Sequence, residues 1–340
     1  TARMTRVAVL DDYIGCAEDF GDWSAVGKDV EITFFRQAIA PERLTEELAD
    51  YEIIAITQQR ARFPREVLER LPKLKLIVTN GPTSHVVDHD ARRELGIMLC
   101  GTADSDAATG PSAGMAPAHP DPPASAGISS TAEMAWALLF AVTKRVGIED
   151  RTIRAGGWQT GFPVPLNGLT LGLAGLGRLG SEMIPVARAL GMDVIAWSEN
   201  LTDGRTQELD VRRVSKEDLL RQSDVLGIFL VLSDRTRGLF QRDDLALMRS
   251  TAFIVNISRG PIIDEVALVD ALASGRIAGA GLDVYDREPL PPDHPLRSMD
   301  NVVLMPHLGY VTEAGFRRSF SRMAEDVAAF VKGRPIRVVE

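Results

Sequence analysis

The sequence predicts an α/β protein built from two doubly wound, parallel-sheet domains. Three observations carry that expectation. At 340 residues the chain is long for a single core. Short apolar runs alternate with helix-like segments along nearly all of it, the pattern of strands that return in parallel through helical crossovers. And a stretch of Pro, Gly, Ala and Ser, 101–130, breaks the alternation about a third of the way along. Hydrophobic residues at 45% and charged residues at 25% describe an ordinary globular composition.

The elements follow in order. VAVL (7–10), ITFF (32–35), IIAI (53–56), LKLIV (74–78) and IMLC (97–100) read as buried strands. PERLTEELAD and PREVLERL, between them, carry helix starts and a 3.6-residue period. Residues 1–101 are therefore expected to form the first part of one domain. Residues 102–130 have no periodicity and read as an inter-domain loop.

Order returns at Ser130-Thr131-Ala132-Glu133, whose S-x-x-E spacing predicts a capping box opening the helix TAEMAWALLFAVTKRV. A second series of strands follows at LTLGLAG (169–175), DVIAW (193–197), VLGIFL (225–230), AFIVNI (252–257), GAGLDV (279–284) and NVVLM (301–305). These define a second domain over 131–307. A long helix near 313–331 and the run IRVV then make 308–340 a returning part of the first domain, with the second inserted into it.

A net charge of −9 disfavours nucleic acid or an anionic membrane surface as the main partner. Cys16 and Cys100 lie far apart without a CxxC, so neither a disulfide framework nor a zinc knuckle is expected, and no metal site. His85, His89, His119 and His294 lack ligand spacing and read as loop or surface residues. The N-terminus has no apolar signal core and no stretch approaches a membrane span, so a cytoplasmic location is expected. Met4 reads as a candidate natural start.

The most specific local pattern is Gly175-x-Gly177-x-x-Gly180, directly after a strand and opening a helix. The first glycine permits the tight turn, the second lets a pyrophosphate approach the backbone, and the third lets helix and sheet pack closely. Free amides at the helix start then bind phosphate. Pro185 falls inside that helix, removing a hydrogen bond to the Ser181 carbonyl, and should kink it. At the end of the following strand, where an acid would accept from the ribose hydroxyls, Ser198 stands instead, with Glu199 next. No arginine is adjacent to grip a 2′-phosphate, although Arg205 lies further along. NAD is favoured, with NADP not excluded.

Three later segments bring chemistry to strand ends, where open α/β sheets bind ligands. VNISRG places Arg259 there, GLDVYDREPL places Asp283 and then Glu288, and PHLGY places His307. With GLGRLG they occur in the order and spacing of the D-isomer-specific 2-hydroxyacid dehydrogenase family, which the chain resembles over nearly its whole length. The resemblance implies a Rossmann cofactor domain inserted into a flavodoxin-like substrate domain. It implies an NAD-dependent enzyme interconverting a small D-2-hydroxy acid and its 2-oxo acid, glyoxylate- or hydroxypyruvate-like.

By the same resemblance His307 is the general acid/base, Glu288 its carboxylate partner and Arg259 the anchor of the substrate carboxylate. The chemistry suits them: an imidazole changes charge near neutral pH, a carboxylate beside it favours the charged form, and guanidinium grips carboxylate through two parallel bonds. Asp283 is expected to accept from the nicotinamide amide, Ile257, Ser258 and Gly309 to line that ring, and Arg178 and Leu179 to offer pyrophosphate amides. Leu230 belongs to a cofactor wall made apolar by Phe229 and Val231, which replace the family's usual histidine and proline. In the first domain Asn80, Gly81 and Thr83 are expected to hold substrate, with Pro82 lacking an amide. Tyr310, where relatives usually carry a small residue, would narrow the site.

A homodimer through the cofactor domain is implied, with GGWQTGFPVPLNG (156–168) and its Trp158 as a contact arm. The active site is expected in the cleft between domains. Two alternatives remain: a dinucleotide-sensing binding protein similar to co-repressors of this fold, and a relative specialised for formate, phosphite or a phosphorylated hydroxy acid such as 3-phosphoglycerate, to which Arg60 or Arg62 would contribute. Glu288 counts against the formate branch, which usually carries glutamine there.

Overall fold

The computed structural model describes residues 4–102 and 127–340; most of the loop expected at 102–130 lies outside the described residues, as does His119. The described chain divides into two compact units. One takes the first hundred residues together with Thr312–Glu340, and the other runs up to Val311.

The first unit holds five parallel strands: β1 (Thr5–Leu10), β2 (Val30–Phe34), β3 (Ile53–Ile56), β4 (Leu76–Thr79) and β5 (Met98–Gly101), in the order β2-β1-β3-β4-β5. That is the flavodoxin-like order. Ala8, Leu10, Ile54, Ile56, Ile77 and Leu99 build one face of its core. The helix Glu313–Val331 belongs to this unit, and the tail folds back beside β5. The Val339 amide donates to Leu99 O at 2.8 Å and Gly101 N to Arg337 O at 3.0 Å.

The second unit holds seven parallel strands: β6 (Thr170–Ala174), β7 (Asp193–Trp197), β8 (Arg212–Arg213), β9 (Val225–Ile228), β10 (Phe253–Asn256), β11 (Gly279–Leu282) and β12 (Val302–Leu304). Their order, β12-β11-β10-β9-β6-β7-β8, is the Rossmann order extended by one strand. Because successive side chains of a strand point to opposite faces, the sheet feeds two cores. Leu226, Ile228, Ile254 and Leu282 enter one, while Val225, Phe253, Val255 and Leu171 enter the other. Helices cover both, which is why these strands read as continuous apolar runs rather than alternating ones.

Two local expectations need correction, and one strand was not foreseen. The helix after the loop is Ser130–Thr143, capped by Ser129 and not Ser130: Ser129 Oγ accepts from Ala132 N at 3.3 Å. Ser129 is held there because its amide and hydroxyl both donate to Glu182, so no Ser130–Glu133 box forms. Residues 308–311, expected with the first domain, cluster with the second unit, because Leu308 and Gly309 donate their amides to Asp283. And β8, two exposed arginines on the sheet edge, carries no apolar signal in the sequence. The helix Arg178–Ala189 runs through Pro185.

Candidate active site

The glycine loop follows β6 at the point where the strand order reverses, between β6 and β9. Gly175 is in the left-handed region at φ 102°, and a Cβ there would stand 2.8 Å from Phe229 O on the loop after β9. A Cβ on Gly180 would stand 2.2 Å from Gly175 O, so the helix Arg178–Ala189 packs on the turn only as glycine. Gly177, the helix N-cap, has no atom within 4 Å of where its Cβ would be. Two glycines are thus required by contact, and the third leaves open space over the amides of Arg178 and Leu179. The loop fits a pyrophosphate at a helix start. Leu230 lies partly buried beside it, and Ser198 and Glu199 follow β7, whose Trp197 O accepts from Gly175 N at 2.8 Å.

The other candidates stand at the C-terminal ends of three neighbouring strands. Arg259 follows β10, Asp283 and Glu288 follow β11, and His307 follows β12. His307 Nδ1 lies 2.7 Å from Glu288 Oε2, and both side chains are mostly buried, at 11% and 15% exposure. The other oxygen, Oε1, accepts from Tyr285 N at 3.0 Å, so the loop's own backbone orients the carboxylate. The Tyr285 hydroxyl donates to Met305 O at 2.8 Å, tying that loop to the strand end that carries His307.

His307 has φ 56°, a left-handed conformation that costs a non-glycine residue about 1–3 kcal/mol. Asp283 supplies the constraint that offsets it. Its carboxylate, in a residue only 1% exposed, accepts from Leu308 N at 2.7 Å and Gly309 N at 2.9 Å. Thr131 Oγ1 holds Gly309 O at 3.0 Å from the other side. Burial pushes the Asp283 carboxyl above its ordinary range, against the pull of those two amides.

Arg259 is exposed, with Nη1 donating to Ser258 O at 2.7 Å. Its neighbour Gly260 touches the Tyr285 backbone so closely that a Cβ would sit 2.1 Å from Tyr285 C. The Arg259 loop and the Glu288 loop are therefore in contact. Ser258 and Ile257 are buried, and Asn256 stitches the turn, accepting from Ser258 N at 3.0 Å and donating to Arg259 O at 3.1 Å. Tyr310 meets the His307 ring edge-on at 5.4 Å between centroids.

The structure thus gathers Arg259, Asp283, Glu288, His307, Gly309 and Tyr310 on one end of one sheet. Asn80, Gly81 and Thr83 belong to the other unit. There Gly81 N donates to Thr102 Oγ1 at 3.0 Å. Asn80 Oδ1 lies 3.3 Å from the same hydroxyl. Thr102, 21 residues further along the chain, carried no signal.

Sequence reasoning also missed Thr131, Asn256 and Tyr285 as supports, and the partners of His294. His294 Nδ1 accepts from Leu296 N at 3.3 Å while Nε2 lies 2.9 Å from Glu265 Oε1. It is a loop residue, as expected, and staples that loop to Glu265. Among the described residues no group of three or more His, Cys, Asp or Glu is placed to hold a metal ion, and no helix is long and apolar enough to cross a membrane.

The fold and the loop define an open α/β dinucleotide-binding protein. A family model for the D-isomer specific 2-hydroxyacid dehydrogenase NAD binding domain matches residues 136–309. Glyoxylate reductase of Aeropyrum pernix is 43% identical over 60% of this chain and 64% of its own length, so the chain spans less than two thirds of that relative. Hydroxypyruvate reductase of Blautia hydrogenotrophica is 30% identical over 98% of this chain and 99% of its own. A phosphoglycerate oxidoreductase structure from Vibrio cholerae o395 superposes with a TM-score of 0.82 at 27% identity, covering 97% of this chain and 100% of that one. The chain belongs to the D-isomer specific 2-hydroxyacid dehydrogenase family, and NAD(H) is the cofactor of its second unit.

Proposed function

We propose that the chain is an NAD-dependent oxidoreductase interconverting a small D-2-hydroxy acid and its 2-oxo acid. The observation that supports this most directly is the buried His307–Glu288 pair at 2.7 Å, set on the same sheet end as the glycine loop. When bound, NAD(H) supplies or takes up the hydride. The protein's residues handle the proton and the carboxylate. An ionised carboxylate only accepts hydrogen bonds, so Glu288 fixes the proton of His307 on Nδ1 and leaves Nε2 to exchange one with the substrate oxygen. In the reducing direction that proton neutralises the alkoxide; in the oxidising direction Nε2 takes it back. Arg259, exposed at the next strand end but one, offers a planar fork to the substrate carboxylate.

The names of the relatives point to glyoxylate and hydroxypyruvate as substrates, and Tyr310 against the His307 ring suits a short side chain. The test is a panel of 2-oxo acids with NADH, followed at the nicotinamide absorbance, with His307→Ala as control. Turnover of glyoxylate or hydroxypyruvate is expected. Cofactor binding with no turnover across the panel would leave a dinucleotide-sensing protein, and a strong preference for phosphohydroxypyruvate would move the assignment to phosphorylated hydroxy acids.

The same reading includes a homodimer through the cofactor unit. Trp158 and Phe162 are 72% and 94% exposed, and Val146 and Ile153 on the helix Val146–Arg154 are exposed as well. Exposed apolar side chains suit an isologous contact. Light scattering should report a dimer, and Phe162→Asp with Trp158→Asp should shift it toward monomer.

A further inference from the structure

We infer that Glu265 is a positioning residue for the reaction: its carboxylate holds the peptide between Tyr285 and Asp286, on which the Glu288 carboxylate and the Arg259 turn both depend. The inference rests on the proposed reaction above and adds a residue from a different element of the same unit.

The loop after β11 turns on that one peptide. Two consecutive amides there donate to two different carboxylates: Tyr285 N to Glu288 Oε1 at 3.0 Å, and Asp286 N to Glu265 Oε2 at 3.2 Å. The two peptide planes meet at the Tyr285 Cα. With the second plane fixed, only the two soft dihedrals of Tyr285 remain to aim the first. Gly260 lies against the same peptide, so close that a Cβ would stand 2.5 Å from Asp286 N. The turn that presents Arg259 therefore leans on the plane that Glu265 holds.

An acid in the first turn of a helix is ordinarily explained by the helix dipole. Here both oxygens of Glu265 are committed to the neighbouring loop instead. The residue opens the helix Glu265–Ala273, whose cap Asp264 accepts from Ala267 N at 2.9 Å, and its side chain is only 15% exposed. Oε1 faces His294. Leu296 N donates to His294 Nδ1 at 3.3 Å, which leaves the proton of the neutral ring on Nε2, 2.9 Å from Oε1. Asp286 and His294 bracket Glu288 in sequence, so one carboxylate fastens the loop on either side of it. Arg297 closes the far end, donating to Leu290 O at 2.5 Å and Pro291 O at 2.7 Å.

The test is a double-mutant cycle on kcat, with glyoxylate or hydroxypyruvate and saturating NADH. Glu265→Ala should lower kcat about tenfold, the scale of one lost hydrogen bond. Glu265→Gln keeps an oxygen for Asp286 N but sets an NH2 against His294, and should lose about threefold. In the Glu288→Gln background either loss should shrink to about 1.5-fold or less, because the group that Glu265 aims is already altered. KM for the 2-oxo acid should rise with the loss of kcat, since the Arg259 turn leans on the same plane. NADH affinity, set at the glycine loop, should stay within about twofold.

A merely structural role would lower Tm and multiply in full with Glu288→Gln. That result, or an unchanged kcat in either folded variant, overturns the inference while leaving the proposed reaction intact. Should Glu265→Ala fail to fold, Glu265→Gln completes the cycle. No turnover of any 2-oxo acid by the unaltered protein overturns the proposed reaction, and this role with it.

Discussion

His307 and Glu288 face each other at 2.7 Å across 19 residues of sequence, Nδ1 to Oε2, with Tyr285 N holding the carboxylate's other oxygen at 3.0 Å. The pair separates two effects that mutation can resolve. His307→Ala removes the proton donor and should lower kcat about 10²–10⁴-fold. Glu288→Gln keeps an acceptor for Nδ1 but loses the charge, worth about 1.5–3 kcal/mol in a charge-assisted bond, or ~10–100-fold in kcat. Steady-state kinetics at saturating NADH checks both, and equal losses would mean that Glu288 does more than orient the ring.

Arg259→Lys keeps the charge and loses the fork. A point charge cannot reproduce two parallel bonds to a carboxylate. The expected result is a KM for the 2-oxo acid raised about tenfold or more, with thermal stability nearly unchanged because the side chain is exposed. An unaltered KM would place the carboxylate elsewhere.

Asp283→Asn tests the clamp under His307. The amide can accept from only one of the two N–H groups now held at 2.7 and 2.9 Å, and its own NH2 then faces the other. Leaving a buried donor without an acceptor costs about 1–3 kcal/mol, so Tm should fall. Because the clamp holds His307 in its left-handed conformation, kcat should fall with it. A fall in Tm with kcat preserved would show the clamp to be structural only.

Asp286 makes stability depend on pH. Burial first, and the neighbouring Glu265 carboxylate second, push its carboxyl up to about 6, above its ordinary 3.8. Between those values the unfolded chain gives up a proton that the folded chain keeps. The contribution of the protonated group is therefore complete below about pH 3.8 and is lost as pH rises through 6. Asp286→Asn should raise Tm relative to the unaltered protein at pH 8 and lose that gain on going to pH 4. Asp286 is exposed, so solvent screens the shift and the difference should be small. Melting curves across that range check the sign.

Much of this protein is visible one segment at a time. The strand runs at 53–56 and 193–197 coincide with β3 and β7, because burial between helix layers demands apolar runs, and the helix near 313–331 coincides with Glu313–Val331, whose buried Phe316, Phe320, Met323 and Val327 recur at helical spacing. Gly175, Gly177 and Gly180 are readable because a turn and a close helix–strand contact act within six residues. The order of the motifs placed Arg259, Asp283, Glu288 and His307 at strand ends without coordinates.

What the sequence determined by itself was therefore the class of fold and the chemical inventory. Tertiary structure decided how that inventory is spent. Thr102 takes the Gly81 amide, His294 turns to Glu265, Asp283 grips the chain beyond His307, and Arg205 bends back to Leu176. The physical reason is range. Hydrophobic periodicity and turn chemistry act between neighbours and leave a pattern in the letters. A hydrogen bond between residues 20 or more positions apart depends only on where the packed layers bring them, and no local pattern records it.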